Sequence, residues 1–217
     1  KMAADVAIDS EGFLYITDMK NHSVHKFSKQ GKFVNKWGKE GIDGDKFKTP
    51  LGIAADSNNN IYVADSENNR IKKYSAAGEL IRTWGKRGNS DGDLIFPAAV
   101  AVNQKHEVYV VDRIRIQVFS ADGEFIPSWG KTGTADGEIN KPMGIFIDQQ
   151  GYAYVSDSNN NRVQKFDANG RFIAKWGAPG RGEGQMLFPY GIAVDNRGFV
   201  YVVERDSNRI QQFAVSN

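Results

Sequence analysis

Short apolar runs alternate along the chain with clusters of Gly, Asn, Asp and Ser. From Pro50, the run Leu51-Gly52-Ile53-Ala54-Ala55 ends at Asp56, and Ser57-Asn58-Asn59-Asn60 follows as turn residues that accept a left-handed backbone. The run Ile61-Tyr62-Val63-Ala64-Asp65 then predicts a second strand, and Arg70-Ile71-Lys72-Lys73-Tyr74 a third that alternates apolar with polar residues. After Ser75-Ala76-Ala77-Gly78, residues Glu79 to Trp84 predict a fourth, and a loop rich in Gly and Asp runs to the next Pro. No window carries apolar residues at i, i+3, i+4 and i+7 over the length a helix needs, so the pattern excludes helical repeats.

This four-strand pattern recurs. Trp37, Trp84, Trp129 and Trp176, each followed by Gly, are separated by 47, 45 and 47 residues, and Pro50, Pro97, Pro142 and Pro189 keep the same intervals. Tyr15, Tyr62, Tyr109, Tyr154 and Tyr201 extend the register to a fifth copy. The units run over about 3–49, 50–96, 97–141, 142–188 and 189–217, and the third has lost two residues in its second turn. An inner strand apolar throughout and an outer strand of mixed character predict an all-β propeller of four-stranded blades, because such sheets pack both faces near the axis and expose their outer edge.

The set Pro50-x-Gly52-Ile53, Ile61-Tyr62-Val63-Ala64-Asp65, Asn69-Arg70-Ile71 and Trp84-Gly85 resembles NHL repeats. So does its parallel set Pro142 to Ile145, Tyr154 to Asp157, Asn161-Arg162-Val163 and Trp176-Gly177. The resemblance covers essentially the whole chain and implies a six-bladed propeller in a family with RNA-binding, protein-binding and lyase members. Five sets of the first three strands and four outer strands are encoded here. The chain is therefore expected to be a single propeller domain over residues 1–217 that is a piece of a longer chain or closes with five blades.

Composition narrows the chemistry. The 217 residues are 40% hydrophobic and 25% charged, with 23 Gly and no Cys, which excludes disorder, a disulfide frame and a thiolate metal site. The opening residues lack the regions of a signal peptide and enter strand-like sequence at once, as expected of an internal fragment. An extracellular or cell-surface repeat protein fits this composition, and Asn21-His22-Ser23 is a glycosylation acceptor triplet if the chain is exported.

The repeated acids Asp18, Asp65, Asp112, Asp157 and Glu204 end the second strand of each unit, and Arg70, Arg115, Arg162 and Arg209 open the third. Each acid is expected to cap its own turn through backbone N–H groups and to pair with its Arg, a scaffold role. Asp9, Asp56, Asp148 and Asp195, with Asn103, are expected to cap the first turn. Asp43-Gly44-Asp45 and Asp91-Gly92-Asp93 read as turn residues of a mobile loop rather than ion ligands, and the stretch that opens at Asp56 lacks the Gly that a calcium loop has at its sixth place. His22 and His25 fall in the first unit and His106 in the first hairpin of the third, so they do not converge on a metal or a catalytic centre, and neither is expected. Asp5 is the one charged residue at the inner-strand position held elsewhere by Gly52, Ala99, Gly144 and Gly191, and it is the single hint of an enzyme.

Every loop between units balances Lys and Arg against Asp and Glu, and the whole chain carries only +2, so nucleic acid is an unfavoured partner. What breaks the symmetry is the shortened Asp112-Arg113-Ile114-Arg115 corner, the corner at Arg205, and the residues after the repeat Pro, among them Met143 and Tyr190. Arg113, Arg115, Met143, Tyr190 and Arg205 are accordingly the candidate contacts of a non-catalytic scaffold for a protein, peptide or glycan. The alternatives are an RNA-binding module, or a propeller hydrolase or lyase whose catalytic residues lie outside this fragment. No cofactor, metal or membrane insertion is expected.

Overall fold

The computed structural model describes residues 2–214. Four antiparallel four-stranded sheets and one three-stranded sheet follow one another along the chain, each meandering in sequence order as a propeller blade does. The first blade is β1 (Ala3–Ile8), β2 (Leu14–Asp18), β3 (Ser23–Phe27) and β4 (Phe33–Trp37); the second is β5 (Pro50–Ala55), β6 (Ile61–Asp65), β7 (Arg70–Tyr74) and β8 (Leu80–Trp84). The third is β9 (Ala99–Val102), β10 (Val108–Val111), β11 (Ile116–Phe119) and β12 (Phe125–Trp129). After the small pair β13 (Lys131–Thr132) and β14 (Glu138–Ile139) comes the fourth, β15 (Gly144–Ile147), β16 (Ala153–Asp157), β17 (Arg162–Phe166) and β18 (Phe172–Trp176). The fifth holds β19 (Pro189–Val194), β20 (Phe199–Glu204) and β21 (Arg209–Ala214). Helical structure among the described residues is limited to two single 3₁₀ turns, Ser66–Asn68 and Ser158–Asn160.

The residues pack as two compact units. One takes the chain up to Asp112 with Gln117–Pro127; the other takes Arg113–Ile116 and the chain from Ser128 on. Within the first, Tyr15, Ile61, Val63 and Tyr74 gather around Trp37 and Phe47, and Tyr62, Ile71, Val108 and Phe119 around Leu94. Within the second, Tyr154, Val163, Met186, Val200 and Val202 form the core. The alternation read from the sequence thus becomes burial on both faces of β6 and β16 and exposure along β8.

Two features were not legible. The Gly-rich loops are each pinned by an apolar residue three before the Pro: Phe47, Leu94, Ile139 and Met186 are all fully buried. Parallel bridges hold these loops at Glu40 to Phe47, Arg87 to Leu94 and Pro179 to Met186, and in the third loop the bridge widens into the β13–β14 pair. A side chain of the blade's third strand also binds its loop. Gln164 accepts the Gly137 N–H at 3.0 Å and donates to Glu138 O at 2.7 Å, and Gln117 and Gln211 do the same for their loops.

Candidate binding face

The acid ending each second strand holds a corner together, but not as the turn pattern predicted. Asp65 Oδ1 accepts the N–H of Lys48 at 2.6 Å, while Oδ2 accepts Arg70 Nε–H at 2.7 Å and Asn68 Nδ2 donates to both oxygens. Asp157 repeats this with Asn140, Arg162 and Asn160, and Glu204 with Leu187 and Arg209. The captured N–H therefore comes from the loop before the repeat Pro, not from the acid's own turn. That turn closes itself, since Asn69 N–H donates to Ser66 O, and the carboxylate is left to bind the crossing loop. In the first blade Asp18 does accept its own turn's Asn21 N–H, together with that of Met2. Burial works to raise its pKa and is outweighed by the hydrogen bond from Asn21 Nδ2 at 2.8 Å together with these two N–H groups, which bring it to about 2. A second correction concerns Arg115: with two residues missing from its corner, strand β11 opens one residue later, at Ile116.

The first-turn acids cap as expected. Asp56 Oδ1 accepts the Asn58 and Asn60 N–H groups, and Tyr62 donates to Oδ2 at 3.0 Å; Asp148 and Asp195 cap their hairpins in the same way. The histidines stay dispersed. His22 Nδ1 accepts the Thr49 N–H at 3.0 Å, so that nitrogen carries no proton; His25 Nε2 lies 3.2 Å from Ser23 Oγ and 3.9 Å from Asp18. His106 stands 3.5 Å from Asp56. Among the described residues no three His, Asp or Glu side chains are grouped to hold a metal ion. The Asp5 carboxyl accepts the N–H groups of Val6 and Ile53.

Each repeat Pro is preceded by a residue with φ near +50°: Thr49 at 54°, Phe96 at 48°, Lys141 at 49° and Phe188 at 51°. Side chains other than Gly rarely adopt this conformation, and a following Pro restricts it further. Asn69 and Asn161 enforce it by accepting the N–H of Phe96 and Phe188. The bulky residues so held are presented at the corners.

In the second unit this device assembles a cluster. The Arg205 guanidinium lies 3.8 Å from the Phe188 ring centre and Lys141 Nζ 5.4 Å from it, while Arg205 also binds the Asp206 carboxylate at 2.6 and 3.2 Å. The Tyr190 phenol lies within electrostatic range of Arg205. A Cβ on Gly144 would collide with Tyr190 O, so β15 and β19 approach closely at this point. Of the five candidates Arg113 and Arg205 are exposed, whereas Arg115, Met143 and Tyr190 are half-buried, less open than the sequence implied. Phe188 and Lys141 were missed; their signal was the bulky or charged residue immediately before the Pro.

The NHL repeat family model matches residues 1–27, 47–74 and 186–213. This chain carries NHL repeats. No curated protein sequence matches it. Among solved structures it is similar to a streptogramin B lyase, at 17% identity over 99% of this chain and 69% of that one, TM-score 0.71. A virginiamycin B lyase from Staphylococcus aureus matches at 15% over 99% and 70%, TM-score 0.70. A chain of a nidogen/laminin complex matches at 19% over 97% and 74%, TM-score 0.74. At these identities the likeness establishes the β-propeller fold of the NHL-repeat chain and no activity.

Proposed function

We propose that the chain is a non-catalytic binding module whose corner face receives a protein, peptide or glycan through Arg113, Arg115, Met143, Tyr190 and Arg205. The observation that carries this reading is the Lys141–Phe188–Arg205–Tyr190 cluster, two cations and two aromatic rings, of which Lys141 and Phe188 stand on backbone held at positive φ. Rigid aromatic and Arg anchors are what binding hot spots use. Corner carboxylates that would serve acid–base chemistry are instead engaged with Arg side chains and loop N–H groups. A similar fold in a nidogen/laminin complex is in keeping with recognition of another protein.

With a partner selected from a displayed peptide library or a glycan array, replacing Arg113 and Tyr190 together by Ala is expected to weaken binding by about 1–3 kcal/mol without altering thermal unfolding. Undiminished binding by the double variant, or loss of binding on changing Asn58 in the opposite turns instead, overturns the reading.

A further inference from the structure

At three corners the residue before a repeat Pro depends on one acceptor from the second turn of the preceding blade. Phe96 N–H donates to Asn69 Oδ1 at 3.0 Å and Phe188 N–H to Asn161 Oδ1 at 2.9 Å. The 47-, 45- and 47-residue register places His22 where Asn69 and Asn161 stand, and there Thr49 N–H donates to His22 Nδ1 at 3.0 Å. His22, Asn69 and Asn161 share one backbone conformation, with φ of 51°, 55° and 53°, and the residues they hold share another, with φ of 54°, 48° and 51°. These corners are one device, built twice on an amide and once on an imidazole.

That change of residue changes the chemistry. An amide oxygen accepts a hydrogen bond at any physiological pH, whereas an imidazole nitrogen accepts only while it carries no proton, and imidazoles ordinarily change charge between about pH 5 and 8. Once protonated, Nδ1–H points at Thr49 N–H, donor against donor. Thr49 then has reason to move: it is β-branched and stands before a Pro, and each of these favours an extended backbone over a φ of 54°.

The groups packed around the ring offer the imidazolium another partner. Glu67, on the second turn of the next blade, lies within electrostatic range of His22 and accepts the Thr49 hydroxyl at 2.9 Å. That bond, and then Lys48 at 3.3 Å, hold its carboxyl below the usual carboxylate range, so it stays ionised as the imidazole titrates. The loop beside the ring carries Lys39 next to Gly38, whose Cβ would stand 3.0 Å from His22 O. The ring's own turn carries Lys20 and Asp18, with His25 3.9 Å from the latter. Asp18 is taken up by Asn21 and the Met2 N–H, which leaves Glu67 as the acceptor.

We propose that the first corner is an acid-sensitive switch. Neutral His22 holds Thr49 at positive φ. A proton taken from solvent at Nδ1 releases the Thr49 N–H, turns the ring to the Glu67 carboxylate and lets Thr49 relax toward the extended backbone that Pro50 favours. Acid thus loosens the entry to β5 while the corners built on Asn stay closed. None of the residues that carry the proposed binding role takes part.

The test follows amide exchange with solvent by NMR in the whole chain at about pH 7.5 and about pH 5.5, each rate corrected for that of an unstructured peptide at the same pH. Protection of the Thr49 amide is expected to fall roughly tenfold at the lower pH, as the neutral fraction of an ordinary imidazole does over that range. Phe188, held by Asn161, should keep its protection. His22→Asn installs the acceptor that the repeat uses elsewhere and should hold Thr49 at both pH values, and His106→Asn should leave the fall unchanged. Glu67→Gln, which can still accept the Thr49 hydroxyl but lacks the charge, should move the midpoint of the fall to lower pH. The proposal is overturned by equal Thr49 protection at the two pH values, by a matching fall at Phe188, by a fall that persists in His22→Asn or vanishes in His106→Asn, or by a midpoint that Glu67→Gln does not lower.

Discussion

Lys72 shows how one residue can depart from a repeat and keep its task. Fully buried under its loop, it donates to Gly44 O and Lys46 O and stands 4.8 Å from the Phe47 ring centre, where the next three blades use Gln. Burial first, then the nearby Arg70, pull its pKa from 10.5 down to about 8 against the opposing effect of Asp65 and Asp45. Below about 8 both folded and unfolded chains carry the proton, and the fold bears the cost of a desolvated ammonium. Between about 8 and 10.5 the unfolded chain binds more protons, so stability rises with pH through that window. Lys72→Gln is expected to raise stability by about 1–2 kcal/mol near neutral pH and to flatten the alkaline rise, measured by urea unfolding on either side of pH 8. A variant that is less stable and keeps the rise would refute the assignment. The pairing of Asp65 with Arg70 was legible from their spacing; the Lys48 N–H that completes the corner was not, because it arrives from a loop that only the folded blade brings near.

At the scale of elements, the long loops are the instructive case. Their Gly and Asp content predicts turns, and turns are present, yet the loops are ordered by single buried residues. Leu94→Ala is expected to cost about 2–5 kcal/mol, as deletion of a fully buried Leu side chain does. Asn89→Ala, at an exposed position of the same loop, should stay within about 0.5 kcal/mol, the usual range for surface positions. Denaturant midpoints of the two variants decide the matter, and equal midpoints would show that the loop carries no anchor. Strand order, hairpin turns and the five-fold Tyr register followed from the period-two pattern and the turn residues alone. The late start of β11 and the β13–β14 pair did not, since each depends on hydrogen-bond partners distant in sequence.

For the molecule as a whole, charge makes a prediction that fold likeness cannot. With a net charge of +2 and cations matched by acids in every inter-unit loop, the chain is not expected to bind single-stranded RNA at physiological salt, since such binding draws on several uncompensated cations. A mobility-shift titration that saturates with a strong salt dependence would reverse this. No helix among the described residues is long and apolar enough to cross a membrane.

The sequence by itself determined the repeat and the blade, because a hydrophobic period, a turn chemistry and a Trp-Gly marker recur at fixed intervals and each needs only local backbone physics. It also determined which corners differ from the rest. Tertiary structure decided what those differences do: it stacked Arg205 on Phe188 and set Phe96 and Phe188, before their repeat prolines, at positive φ through Asn side chains from another turn. Those outcomes rest on distances between residues tens of positions apart, which no local pattern encodes.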